Sequence, residues 1–180
     1  MNLANKLTIL RVAIIPFFIA TFYIPWKYWY IISTILFITS FITDMLDGKI
    51  ARKRDQVTNF GKFMDPIADK ILTVSAMIML VSVDLYPPIA ALIVVSREFF
   101  VSGLRMVVAS EGTVIAASWL GKTKTISQFI AICLVLLHNP IFGLINIPLD
   151  TIAIWVSTAL TIWSGCDYLF KNRKSIDHRK

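Results

Sequence analysis

Four aspartates in the first half of the chain have the spacing of a shared carboxylate site. Asp44 and Asp47 stand three residues apart, and Asp65 and Asp69 stand four residues apart. On helices, each spacing places both side chains on one face. If the first pair closes one helix and the second pair opens the next, antiparallel helix, all four carboxylates lie at the same depth. Four close carboxylates repel one another unless cations neutralise them, which predicts a site for hard divalent ions such as Mg²⁺, Mn²⁺ or Ca²⁺. Two such ions could clamp the attacking and leaving oxygens of a phosphoryl displacement.

The elements that must carry these acids are predicted to be membrane helices. The chain has 180 residues, of which 57% are hydrophobic and 16% charged, and this composition excludes an ordinary soluble domain. A transmembrane helix needs about 20 mostly apolar residues, and the chain offers about six such runs. They cover residues 7–24, 28–47, 65–84, 88–110, 125–139 and 149–170. We therefore predict an all-α polytopic membrane protein with a single domain over residues 1–180.

Basic residues are concentrated in alternate gaps between the apolar runs. The 18 Lys+Arg and 11 Asp+Glu give a net charge of +7. Because the basic residues do not interleave with aromatic residues on a soluble face, this charge favours an anionic membrane surface over nucleic acid. The positive-inside rule puts both termini in the cytosol, so we predict a cell (inner or plasma) membrane protein with its site facing the cytosol. Cys133 and Cys166 are isolated, which excludes a disulfide framework.

The aspartates belong to a longer motif. Residues 44–69 read DMLDGKIARKRDQVTNFGKFMDPIAD, which resembles the signature of the CDP-alcohol phosphotransferase family. The resemblance implies transfer of a phosphatidyl or similar group from a CDP-activated donor to an alcohol, with release of CMP. It assigns Asp44, Asp47 and Asp65 as metal ligands. It also implies that Asp69 is the base that removes the proton of the acceptor hydroxyl and a contact of the second metal.

The same motif supplies candidate contacts for the CDP-lipid. Gly48, Ala51 and Gly61 lack bulky side chains, so a nucleotide and its pyrophosphate could approach the backbone closely. Arg52 could offer a planar fork of donors to phosphate oxygens. The alternatives are helix packing for the three small residues and a plain cytosolic charge for Arg52.

Polar residues inside the later apolar runs are candidates for binding the second substrate. Arg97 lies near mid-membrane in the fourth run, so it must face a partner or a water-filled cavity. Glu98 is adjacent and is expected to point elsewhere, which predicts a partner for Arg97 on another helix. Arg105 lies two turns further along on a similar side. The alternative for Arg97 is a structural ion pair.

Two further groups of residues complete the predicted phosphate site of the acceptor. Lys122 and Lys124 stand among hydroxyls at the start of a helix, where they could bind an anion. Thr8 and Arg11 are expected at the cytosolic mouth of the first helix. For the lysines and Arg11, the alternative is snorkelling to the membrane surface. The candidate phosphate ligands are Thr8, Arg11, Arg97, Arg105, Lys122 and Lys124.

A narrower resemblance concerns the acceptor. Residues 97–125 with Gln128, together with an opening pattern that includes Asn5 and Pro16, resemble the subgroup that makes phosphatidylglycerophosphate from CDP-diacylglycerol and sn-glycerol 3-phosphate. The implied reaction is a metal-assisted transfer at the cytosolic membrane boundary, with two Mg or Mn ions as cofactor. Direct displacement is favoured over a covalent phosphatidyl-enzyme, because no nucleophile is evident beside the acids. Inositol phosphate, serine and phosphatidylglycerol stay open as acceptors, and so does a homodimer.

Two other classes of function are compatible with an acid cluster in a membrane. A cation-coupled transporter also needs intramembrane acids, but its acids should lie near mid-membrane and its chain should contain inverted repeats. A structural membrane subunit would use the aspartates for stability alone.

Overall fold

The computed structural model describes the backbone of residues 3–25, 27–53, 59–110, 119–137 and 148–177, and side chains over 12–25, 27–43, 70–108, 119–137 and 148–172. Six α-helices and no strand occur in the described ranges. The helices are α1 Leu3–Thr21, α2 Trp29–Lys53, α3 Asn59–Ser82, α4 Pro88–Ser110, α5 Trp119–Leu136 and α6 Leu149–Asp177. The all-α prediction and the number of helices are confirmed.

The helix ends differ from the predicted ends where polar sequence continues a helix. The fourth helix has the predicted bounds, but α2 runs past Asp47 to Lys53 and α3 begins at Asn59, before Asp65. The prediction that the aspartate pairs close one helix and open the next is therefore wrong. Hydropathy marks the apolar length of a helix, whereas lysine, arginine and alanine after Asp47 are good helix formers and extend the hydrogen-bonded backbone.

The turn between α3 and α4 sets these two helices side by side. Asp84 has a positive φ of 58°, its backbone N–H donates to Val81 O, and the N–H of Leu85 donates to Leu80 O. This pair of bonds around one left-handed residue is a Schellman motif, which satisfies the last carbonyls of α3. Pro88 then begins α4 at a position where its missing N–H costs nothing.

One apolar core joins all six helices. Its larger buried members are Phe18, Phe37, Met77, Leu80, Tyr86, Val94, Ile132, Leu136 and Ile154. Tyr86 lies in the turn before α4, and the others lie late in α1, α3 and α5 and early in α2, α4 and α6. The core therefore occupies the end of the bundle away from the chain termini. Around it, α1 packs on α2 and α3, and α6 packs on α4 and α5.

The outer faces of the helices are rich in exposed apolar side chains. Phe17 is 69% exposed and Leu92 is 67% exposed, and Trp163 on α6 is 63% exposed. By length and composition, one helix among the described ranges, Leu149–Asn172, is apolar enough to cross a membrane. The crossing of the membrane by all six helices stays a prediction.

Candidate functional site

A cluster of charged side chains lies between α3, α4 and α5. Glu98 of α4 is its centre: Lys124 of α5 donates a hydrogen bond to Glu98 Oε1, and Lys70 Nζ of α3 lies 3.9 Å from Glu98 Oε2. Arg97 Nη1 lies 3.5 Å from Glu98 Oε1. We call these four residues the Glu98 cluster. Three cations thus surround one carboxylate, and the cluster carries excess positive charge.

Arg97 connects the Glu98 cluster to α6. Its Nη2 donates to Ser164 Oγ at 3.0 Å, and a Cβ placed on Gly165 would lie 3.3 Å from Arg97 Cγ. Small residues on α6 thus make room for the arginine stem. The predicted partner on another helix is confirmed by Ser164. The expectation that Glu98 points elsewhere is wrong, because long side chains at adjacent helical positions can bend toward each other.

The two lysines predicted to act together have different environments. Lys124 is 1% exposed and contacts Glu98, whereas Lys122 is exposed on α5. Residues two apart on a helix do not share a face, which explains the separation. Arg105 is exposed, and its Cζ lies 5.5 Å from the centroid of the Tyr168 ring on α6, a cation–π distance.

A small cavity of about 80 Å³ adjoins the Glu98 cluster. Its polar end is formed by Lys70, Glu98 and Lys124, and its apolar end includes Phe41 and Phe129, whose ring centroids stack 3.9 Å apart. The remaining lining residues are Phe37, Thr73, Val74, Met77, Thr125 and Gln128. A cavity of this size holds water or a small anionic group, and the ammonium groups at its polar end favour an anion.

The residues predicted to bind metal and CDP-lipid are helical in backbone, but their side chains lie outside the described residues. They are Asp44, Asp47, Gly48, Ala51 and Arg52 in α2, and Gly61, Asp65 and Asp69 in α3. The same holds for Thr8 and Arg11 in α1. Among the side chains that the structure does describe, no group of three metal-ligating residues occurs. The roles of these ten residues stay predictions.

The described cluster nevertheless begins next to the predicted acids. Lys70 directly follows Asp69 in α3, and its Nζ donates a hydrogen bond to Ser102 Oγ of α4. Sequence reasoning gave no role to Lys70 or to Glu98. The sequence signal that could have found them is the free-energy cost of a charged residue inside an apolar run, which makes such a residue functional by default.

The comparisons with known proteins agree on one family. The model of the CDP-alcohol phosphatidyltransferase family matches residues 1–163. The chain is 43% identical, over 97% of its length and 97% of the relative's, to CDP-diacylglycerol–glycerol-3-phosphate 3-phosphatidyltransferase of Bacillus subtilis (strain 168). It is 42% identical to the protein of that name from Rickettsia bellii, over 93% of each chain. For the Haemophilus influenzae protein of that name the identity is 40%, over 93% of this chain and 91% of the relative.

Proposed function

Because the chain belongs to the CDP-alcohol phosphatidyltransferase family, we propose that it transfers the phosphatidyl group of CDP-diacylglycerol to sn-glycerol 3-phosphate. The products are phosphatidylglycerophosphate and CMP. The observation that carries this choice of acceptor is the 43% identity over 97% of both chains to the Bacillus subtilis protein named for these substrates. The chain is accordingly an enzyme of phospholipid synthesis, a phosphotransferase.

The proposed location is the cell membrane, with six crossings and both termini in the cytosol. The alternation of basic gaps supports this orientation, and lipid would cover the exposed apolar side chains such as Phe17 and Leu92. From Lys70 to the end of α3 at Ser82 the helix rises about 18 Å, at 1.5 Å per residue. In a hydrocarbon layer about 30 Å thick, Lys70 would lie on the cytosolic side of the midplane. The Glu98 cluster would then lie close to the midplane, on its cytosolic side.

The proposed metal ligands are Asp44, Asp47, Asp65 and Asp69, which would hold Mg²⁺ or Mn²⁺ as two ions. The donor set supports this, because it contains carboxylates alone, and the helical backbone of α2 and α3 keeps the i, i+3 and i, i+4 spacings intact. The chemistry that bound cations supply is neutralisation of the carboxylates and stabilisation of charge on the pyrophosphate and the departing CMP.

The side chains of the protein then bind and orient the donor lipid and deprotonate the acceptor hydroxyl. Arg52 binds the donor pyrophosphate, and the small residues at 48, 51 and 61 let the nucleotide approach the helix backbone. Asp69 accepts the proton of the glycerol 3-phosphate 1-hydroxyl. The hydroxyl oxygen attacks the phosphorus attached to diacylglycerol, a new P–O bond forms, and the P–O bond to CMP breaks.

The phosphate of the acceptor is proposed to bind at the cationic residues. Lys124 has the best described position, since it lies in the wall of the cavity beside Glu98. Lys122, Arg105, Arg97, Arg11 and Thr8 complete the proposed set. Arg97 and Arg105 also contact α6, so part of their role is structural.

The test is release of CMP by the purified protein in detergent with CDP-diacylglycerol and Mn²⁺ or Mg²⁺. Glycerol 3-phosphate, inositol phosphate, serine and phosphatidylglycerol are offered separately. We expect release with glycerol 3-phosphate alone. Release with another acceptor would overturn the choice of acceptor, and ion flux in liposomes without CMP release from any mixture would favour a transporter.

A further inference from the structure

We propose that Glu98 is a positioning residue for the acceptor: it holds Lys124 charged and in place at the polar end of the cavity between α2, α3, α4 and α5. This inference rests on the proposed transfer to glycerol 3-phosphate. Glu98 does not contact the acceptor itself in this proposal. It acts through the cations that surround it.

Lys124 is a buried cation. The side chain is 1% exposed, and an ammonium group that has lost its water needs a charged, hydrogen-bonded partner. Glu98 accepts a hydrogen bond from Lys124 Nζ. A lysine ammonium has three donors, so this contact leaves further donors for a ligand in the cavity. Without the carboxylate, the buried ammonium group would lose its charged partner, and its rotamer would no longer be fixed at the cavity.

The Glu98 cluster has an excess of positive charge. Lys70, Arg97 and Lys124 bring three positive charges to one carboxylate, so two positive charges stay unbalanced. A phosphate monoester carries about two negative charges at neutral pH. The cluster is thus neutral when a phosphate is bound. When no phosphate is bound, Glu98 offsets part of the repulsion among the three cations.

Glu98 also lies between α3 and α5, two helices that the proposed reaction needs. Its Oε2 lies 3.9 Å from Lys70 Nζ, and Lys70 directly follows Asp69, the proposed base, in α3. Its Oε1 accepts from Lys124 of α5. One carboxylate of α4 therefore contacts both Lys70, the residue after the proposed base in α3, and Lys124, the lysine of α5 proposed to bind the phosphate.

The experiment compares Glu98→Gln with Glu98→Asp in the CMP-release assay. For Glu98→Gln we expect the KM for glycerol 3-phosphate to rise about tenfold or more, as for loss of one partner of a buried charge pair, while the KM for CDP-diacylglycerol changes little. Glu98→Asp keeps the charge and should recover part of the affinity. The matched control is Asp167→Asn, which removes the carboxylate of a surface ion pair with Lys171 and should leave both KM values unchanged.

A double variant keeps the proposal testable if Glu98→Gln folds poorly. Glu98→Gln with Lys124→Gln removes both charges of the buried pair, so its fold should persist. If Glu98 acts through Lys124, the double variant has the same KM for glycerol 3-phosphate as Lys124→Gln alone. Additive effects, equal rises of both KM values, or a loss of thermal stability with unchanged KM would overturn the inference.

The wild-type protein separates the two levels of the proposal. Wild-type activity with glycerol 3-phosphate and no specific effect of Glu98→Gln would overturn the role of Glu98 and leave the proposed function standing. Absence of wild-type CMP release with glycerol 3-phosphate would overturn the proposed function, and with it the role of Glu98.

Discussion

At the scale of single residues, the proposed base gives the sharpest prediction. Asp69→Asn keeps the size of the side chain and removes its capacity to accept a proton. We expect kcat for CMP release to fall by about 10²- to 10⁴-fold, while the thermal midpoint of the purified protein stays within a few degrees of the wild type. Asp167→Asn in the surface ion pair is the control for loss of a carboxylate. Normal turnover in Asp69→Asn would contradict the assignment.

Gly165 gives a second residue-scale prediction, with Gly103 as its control. Both are helical, so replacement by alanine should add about 0.5–1 kcal/mol of stability from backbone entropy alone. A Cβ on Gly103 meets no atom within 4 Å, whereas one on Gly165 meets Arg97 Cγ at 3.3 Å. We therefore expect Gly103→Ala to raise the thermal midpoint and Gly165→Ala to gain less.

A larger side chain at these positions widens the difference. Gly165→Leu should destabilise by about 1–3 kcal/mol, because it forces Arg97 away from α6 and from Ser164. Gly103→Leu, at the open position, should not. Equal midpoints for the two leucine variants, measured by thermal unfolding in detergent, would show that Arg97 does not lie against Gly165.

At the scale of elements, the turn after α3 depends on the backbone of Asp84. Its φ of 58° suits glycine and is tolerated by aspartate, but it costs an alanine about 1–2 kcal/mol. We expect Asp84→Ala to lower the thermal midpoint and Asp84→Gly to leave it equal or higher. The reverse order of the two midpoints would contradict the Schellman motif. The activity of the folded enzyme should stay unchanged in both variants, because Asp84 lies in the turn after α3, far from Lys70.

The elements also show where sequence reasoning succeeds and fails. The lengths of the apolar runs predicted six helices and the bounds of α4, because Pro88 and the turn residues before it mark the start of that helix in the sequence. It misplaced the ends of α2 and α3, because hydropathy does not register polar helical turns. Arg97 and Lys124 were predicted as phosphate ligands, but their grouping with Glu98 and Lys70 was missed for another reason. The members of the Glu98 cluster lie on α3, α4 and α5, and a single sequence does not say which helix faces which.

At the scale of the whole molecule, the arrangement of core and charge indicates how the chain would lie in a membrane. The apolar core occupies the end of the bundle with the α1–α2 and α3–α4 turns, and the Glu98 cluster lies nearer the termini. The basic gaps lie on the side of the termini as well. A donor lipid with its chains in the bilayer would then present its CDP head to the charged, cytosolic half of the bundle.

This orientation predicts the labelling of single cysteines in intact cells. After Cys133→Ala and Cys166→Ala, a cysteine is placed at Tyr23 in the α1–α2 turn, which is 75% exposed, or at Lys171 near the end of α6, whose side chain is 64% exposed. By the positive-inside rule, the basic tail would keep Lys171 in the cytosol. A membrane-impermeant maleimide should therefore label Tyr23→Cys in intact cells and Lys171→Cys only after lysis. Labelling of Lys171→Cys but not Tyr23→Cys in intact cells would place the proposed active site at the outer face, where no cytosolic glycerol 3-phosphate reaches it.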